Sequence, residues 1–422
     1  MKPYPKYKDS GVEWLGEIPE HWQVKRLKSL ARIKNGQDYK LVHTDEPIYP
    51  VIGSGGQFAY ASQYLFKGES VLLGRKGTVD KPLYVNCAFW TVDTMFYTEI
   101  NNNTFPKFLY YSALTIPFAY LLTNTTVPSM TQDDLGNHLF AFAPLEEQKA
   151  IAHFIDRKLE QIEQFIRNKK RLIELLNEQK TAIINRAVTK GINPNAPMKD
   201  SGIGWLGEIP AHWEVVKLKF LAKRITDGEH ISPKLVSEGI LLLSAKDIRD
   251  KEILYDVDKF VSIEDAKQFW LRCKPKMGDV LIVSRGATIG RVAIVEDEIH
   301  FCLMGSVILC RLKSEVVSLF IYFALNSNYA QKLLFFSSAA SAQPAIYITD
   351  IAELAIPIPT LQEQNQIIDY LESESKKINI AIAQIEKEIE LIQEYRTTLI
   401  SDAVTGKIDV RPNSLIETTL TA

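Results

Sequence analysis

Cysteine is scarce in this chain of 422 residues: four thiols, Cys87, Cys273, Cys302 and Cys310, stand far apart. No CxxC pair and no Cys/His cluster at metal spacing occurs, so a metal site is not expected and a reducing, cytoplasmic setting is. Long apolar runs are missing too. The stretch SLFIYFAL at 318–325 is among the longest, far short of the roughly twenty residues that span a bilayer. The opening MKPYPKYKDS has no apolar core like that of a signal peptide, so neither secretion nor membrane insertion is expected. An excess of one charge is also absent. With 49 basic against 51 acidic residues, formal net charge −2, the chain has no global attraction for nucleic acid. Any nucleic-acid role must rest on local features.

The familiar catalytic constellations are missing as well. TGKI at 405–408 lacks both the loop and the hydroxyl residue of a Walker A motif. GSGG at 53–56 is not a dinucleotide fingerprint, because Phe58 stands where the third glycine belongs. HExxH, GxSxG and a nuclease-like Pro-Asp followed by Glu-x-Lys do not occur, and the seven histidines show no metal-ligand spacing. No catalytic residues are assigned.

What is present is repetition. KDSGVEWLGEIPEHW at 8–22 returns as KDSGIGWLGEIPAHW at 199–213, and over residues 8–31 against 199–222 the register holds at 191 with 17 of 24 positions identical. A second pair, PLEEQKAIAHFIDRK from Pro144 and TLQEQNQIIDYLESE from Thr360, runs ungapped at an offset of 216 to AVTKG at Ala187 and AVTGK at Ala403. The chain therefore reads as globular unit, helix, globular unit, helix, with the second globular unit longer by 25 residues. At 46% hydrophobic and 24% charged it is ordinary folding material for two to four domains. The boundaries are 1–143, a helix over 144–190, linker and second unit over 191–359, a helix over 360–410, and a tail over 411–422.

Both helical segments carry a heptad seam. Leu159, Ile162, Ile166, Ile173, Leu176 and Ile183 follow steps of three and four, and Leu371, Ile378, Ile382, Ile385, Ile389, Ile392 and Leu399 occupy the same register. Lys180 and Arg396 fall at equivalent seam positions, where a charge costs stability and fixes register. Matched seams predict that the two helices pack on each other. GINPNAPM at 191–198 ends the first helix with a glycine and two prolines. The repeated phrase, with Trp14/Trp205, Pro19/Pro210 and Trp22/Trp213, is expected to clasp each globular unit to the helix before it, and His21 and His212 are expected to serve packing or hydrogen bonding.

Within the divergent units, alternating or fully apolar stretches such as SVLLGRKG, TMFYTEI, DVLIVSRG and SVILCRL predict strands, and FPKFLYYSAL and SLFIYFALNS predict short helices. GRKGTV at 74–79 and SRGATI at 284–289 pair at an offset of 210. Their turns place Arg75, Lys76, Arg285 and Arg291 beside glycines that let a backbone approach a phosphate, with Thr78, Ser284 and Thr288 as neutral donors. Arg also reads guanine through two hydrogen bonds. A second loop, VIGSGGQ at 51–57, aligns at 191 with LLSAKDI at 242–248 and supplies Ser54, Gln57, Ser244 and Lys246, with Asp247 beside them. The alternative, solvated turns with ordinary charges, stays open on sequence alone.

The whole pattern, a WLGEIPxHW opening, a variable unit, a PLEEQKAIAHFID entry into a long helix ending AVTKG, then the cycle repeated, resembles the specificity subunit of type I restriction-modification systems. The resemblance spans nearly the entire chain. It implies an α+β fold: two α/β target recognition domains joined by two long helices in an antiparallel coiled coil, with an internal pseudo-twofold repeat. It further implies that each domain reads one half of a split double-stranded DNA sequence, asymmetric here because the two units differ. The implied partners are two modification subunits, adenine methyltransferases that use S-adenosylmethionine, and restriction subunits that use ATP and Mg. The subunit itself is then no enzyme and binds no cofactor. A coiled-coil scaffold that organises protein partners without sequence-specific DNA binding is the alternative reading.

Overall fold

The structure is a computed structural model that describes residues 2–118, 129–204, 206–249, 252–339 and 344–411. The tail beyond residue 411 and Trp205 of the repeated phrase lie outside the described residues. Two compact units divide the chain: Met1–Lys170 with Glu386–Ala422, and Arg171–Ile385.

In unit 1 the strand Ser70–Gly74 is the organising element. All five residues are buried, and alternation assigns them to two cores: Val71 and Leu73 pack with Trp22, Phe108 and Phe140, while Leu72 packs with Phe89, Met95 and Val51. Covered on both faces, the strand SVLLG shows no polar alternation, and its one hydroxyl, Ser70 Oγ, donates to Thr98 O at 2.8 Å. It sits inside a four-stranded sheet, flanked by Leu83–Val85 and Met95–Ile100, with Ala31–Asn35 beyond. A five-stranded sheet covers the second core. Its centre is Tyr49–Gly53, antiparallel to Gly56–Ala61 and parallel to Ala88–Thr91.

Unit 2 repeats this plan. Val280 and Ile282 face one core and Leu281 and Val283 the other. The strand Val280–Val283 lies between Val307–Leu312 and Val292–Ile294, and Ile240–Leu243 runs parallel to Phe301–Leu303. The pairings locate the extra residues of this unit. Opposite their parallel partners, Ile52 and Leu243 occupy the same place, at an offset of 191. By Gly74 and Val283 the offset is 209, so most of the insertion lies between these strands, where unit 2 builds the helix Ile263–Arg272. Unit 1 fills the interval with the strands Gly56–Ala61 and Phe66–Lys67.

Each unit also holds an antiparallel pair of long helical segments, drawn from Leu145–Lys190 and Leu361–Val404. In unit 1, Lys169 pairs with Glu388 at 2.5 Å, and Ile151, Ala152 and Ile155 share a core with Ile400, Ala403 and Val404. In unit 2, Lys180 donates to Asn379 Oδ1 at 3.1 Å, and Ile183 packs with Ile367 and Leu371. Of the seam residues, Ile162, Leu371, Ile378, Ile385 and Leu399 are buried, and Leu159, Ile166, Ile173, Leu176, Ile183, Ile382, Ile389 and Ile392 are half-buried. The charged seam residues Lys180 and Arg396 are half-buried too.

The repeated phrase performs the same task twice. Trp22 lies against Gly406, just past the end of one long helix, and Trp213 against Gly191, just past the end of the other. Both glycines have φ above +70°, the left-handed turn that ends a helix, and a Cβ on Gly406 would lie 2.4 Å from Pro19. His21 and His212 contact Glu147 and Glu363 at 2.9 and 2.8 Å, in the first turns of the helices that follow. Trp14 is different: 43% exposed, it stacks on His138 with ring centres 5.1 Å apart rather than entering the core.

Candidate nucleic-acid interface

Most candidate residues follow the ends of two strands in each unit, one from each sheet, and shared backbone partners relate the loops that follow. In unit 2 the strand Val280–Val283 leads into Ser284, whose N–H donates to Ser306 O at 2.9 Å. The strand Ile240–Leu243 leads into Ser244 and Ala245, and the Ala245 N–H donates to Ser306 Oγ at 3.1 Å. Thr288 Oγ1 then donates to Ala245 O at 3.3 Å. The loops carrying Lys246 and Arg285 are thus tied to one hairpin tip, residues 304–306.

In unit 1 both loops flank residues 92–94. Arg75 N and Lys76 N donate to Thr94 O at 2.8 and 3.2 Å, and Val92 N donates to Ile52 O at 3.4 Å. No hydrogen bond joins residues 54–57 to residues 75–79 directly among the described residues.

The register differs from the sequence alignment by one residue. Lys76 bridges Ser129 as Arg285 bridges Ala345, and Arg75 N takes Thr94 O as Ser284 N takes Ser306 O. The offset through the turn is therefore 209, not 210, and Arg285 is the counterpart of Lys76 rather than Arg75. Side-chain similarity sets Arg75 over Arg285, whereas backbone pairing sets Lys76 over Arg285.

The candidates fall into two groups. The hydroxyls are mostly engaged within the protein: Ser244 Oγ donates to buried Asp247 at 2.8 Å, and buried Ser284 points toward Gly305 O at 3.5 Å. Arg75 is half-buried, with Nη1 donating to Asp93 O at 3.2 Å and its guanidinium 5.9 Å from the Phe96 ring centre. By contrast Lys76, Lys246 and Arg285 are exposed, and no side-chain hydrogen bond or ion pair holds them among the described residues. Arg291 is half-buried and donates its N–H to Thr288 O. Thr78 and Gln57 are exposed and Ser54 half-buried.

An open cleft of about 490 Å³ adjoins Gln57, lined by His43, Thr44, Asp45, Phe58 and Tyr60. Phe58 is 55% exposed and edge-on to Tyr39 at 5.2 Å. Sequence reasoning passed over these rings; an aromatic beside a glycine-rich turn was the available signal.

Among the described residues no group of three or more His, Cys, Asp or Glu side chains is placed to hold a metal. Burial pushes the thiols of Cys273, Cys302 and Cys310 up to about 12, far from a reactive thiolate. No described helix is long and apolar enough to cross a membrane.

The family model for the type I restriction modification DNA specificity domain matches residues 19–176 and 247–391, one block in each repeat. The chain belongs to this family. Two specificity subunits match the chain along most of their length. The type I restriction enzyme MjaVIII specificity subunit of Methanocaldococcus jannaschii is 25% identical, covering 93% of this chain and 94% of its own. The EcoBI specificity subunit of Escherichia coli is 23% identical, over 89% and 85%. Among solved structures, the fold resembles the HsdS subunit of Thermoanaerobacter tengcongensis, with TM-score 0.55, 17% identity, and 93% and 98% coverage. A chain from a study of complex assembly and conformational transition in the type I system aligns with TM-score 0.68, 17% identity, and 93% and 99% coverage. As a type I specificity subunit the chain serves DNA sequence recognition.

Proposed function

We propose that the chain reads a bipartite, asymmetric DNA sequence, one half through each globular domain, and does so without catalysing a reaction itself. One observation carries this reading: both units present a loop pair at the ends of equivalent strands, yet the residues on the two pairs differ. Equivalent scaffolds with unlike tips suit unlike half-sequences. Exposed Lys76, Lys246 and Arg285 fit contacts to phosphates and bases, and hydroxyls already spent on the protein fit the shaping of the loops.

The chain scaffolds two modification subunits, which bring S-adenosylmethionine to adenine, and restriction subunits, which use ATP and Mg. It binds none of these cofactors and works in the cytoplasm. The test is to map methylated adenines genome-wide in cells with and without the chain, and to measure binding of the purified complex across salt. A methylated motif with two unlike halves and an unread spacer is expected. Binding without sequence preference, and no chain-dependent motif, would leave the protein-scaffold reading in its place.

A further inference from the structure

We infer that His230 is a base-contacting, specificity-determining residue of the second globular domain, positioned by Asp227 and Arg272; this rests on the reading of the strand-end loops as the DNA face. His230 follows the strand Ala222–Asp227, and its turn is stitched to the hairpin that carries the other loops. Glu229 N donates to Leu303 O, and Gly305 N donates to Glu229 O, both at 2.7 Å. The next residue, Ser306, is the one that receives Ala245 N and Ser284 N. His230, Lys246 and Arg285 thus lie on loops joined at one tip.

The imidazole is held on two sides. Its Nε2 is 2.7 Å from Asp227 Oδ2, and Asp227 gives its other oxygen to the Arg272 guanidinium. Burial alone would raise the Asp227 pKa, but the hydrogen bonds from Arg272 and His230 outweigh it and hold the carboxyl below its ordinary value. The ring lies against Gly305, where a Cβ would come within 2.6 Å of Nδ1, so only glycine admits it. The side chain nonetheless stays 42% exposed.

A fixed, flat, partly exposed heterocycle suits a base edge better than a phosphate. Two carboxylates stand beside it, Asp227 and Glu229, and Glu229 accepts the His230 N–H at 2.8 Å. That acidic surrounding opposes the DNA backbone and tolerates an uncharged base. The device belongs to one half only. Asn35 pairs with Phe96 as Asp227 pairs with Ile308, so Asn35 and Asp38 occupy the corresponding places in unit 1. Arg272 ends the inserted helix, which unit 1 lacks.

The experiment uses the chain assembled with its modification subunits. Methylation rates are measured on duplexes carrying every single-base change in both half-sequences, for His230→Ala, His230→Gln and Asp227→Asn, each checked for thermal unfolding. His230→Ala is expected to lower discrimination about ten-fold at one or two positions of one half-sequence and to leave the other half unchanged. Asp227→Asn should relax the same positions less. His230→Gln, which keeps a hydrogen-bonding side chain, reads the same positions where the Ala variant does not fold. Equal loss on all sequences, or unchanged preference, would make the cluster a strut between helix and sheet and overturn the inference. If Arg285→Ala and Lys246→Ala also leave DNA binding untouched, the face itself has been misread, a failure distinct from that of His230 alone.

Discussion

His138 is the side chain whose surroundings most clearly tie stability to pH. It stacks against Trp14 and edge-on to Phe140 at 4.8 Å, and its Nε2 is buried with no hydrogen-bond partner among the described residues. Burial lowers its pKa from 6.5 to about 4, because an imidazolium there would lose its hydration. The folded pKa lies below the unfolded one, so stability is complete above pH 6.5 and declines as pH falls toward 4. With the ring partly solvated, a loss of about 1–2 kcal/mol is expected over that window. Thermal unfolding from pH 7 to 4.5 should show a shallower decline for His138→Gln than for the parent; identical slopes would assign the acid sensitivity to other groups. The exposed cations give a different expectation. Arg285→Ala should cost about 1–3 kcal/mol on the cognate site and relax one half-sequence, whereas Lys76→Ala should weaken all sequences alike if it touches only phosphate. Arg75, held by Asp93 O and near the Phe96 ring, should in addition cost stability when truncated. Equilibrium binding to cognate and scrambled duplexes separates these outcomes.

At the scale of elements, much of the fold was legible because repetition exposes it. Matched phrases and heptads marked the two helices, and apolar stretches such as VLLG and LIV marked strands buried on both faces. What sequence left obscure depends on pairing across the sheet. The offset of 209 through the turns at Arg75 and Ser284 appears only when Arg75 N and Ser284 N are seen on equivalent carbonyls, and the Asp227–His230–Arg272 group joins residues 45 apart through an inserted helix. A second device hid inside the helix-entry motif. Buried Gln148 accepts Phe105 N at 2.8 Å and donates to Ala143 O at 2.8 Å; Gln364 accepts Val317 N at 2.9 Å and donates to Pro359 O at 3.1 Å. Each glutamine pins the start of a short helix to the start of a long one. Replacing either by Leu strands a backbone N–H and should destabilise its unit by about 1–3 kcal/mol, read by denaturant unfolding. An unchanged midpoint would mean that water takes over the bonds.

For the whole molecule, the repeat makes the two globular segments interchangeable parts with equivalent junctions. Lys8 and Lys199 enter them through antiparallel pairs of the same register, Lys8 opposite Ile18 and Lys199 opposite Ile209. They leave through equivalent pairs as well, Phe142 opposite Gln23 and Ile358 opposite Glu214. Residues 2–7 and 406–409 meet where the second repeat has a covalent link: Asp409 N donates to Lys2 O at 2.8 Å and Tyr7 Oη to Gly406 O at 3.1 Å. Replacing residues 199–359 by a second copy of residues 8–143 therefore keeps these strand pairings at the junctions while removing the inserted helix, His230 and Arg285. If recognition belongs to the globular segments, the methylated motif of such a chimera should contain the first half-sequence twice and the second not at all. Methylome sequencing of cells carrying the chimera and the modification subunits reads this directly. A folded, active chimera that still methylates the parental motif would place recognition outside the globular segments, in the helices or the partner subunits, and the strand-end loops would lose their role.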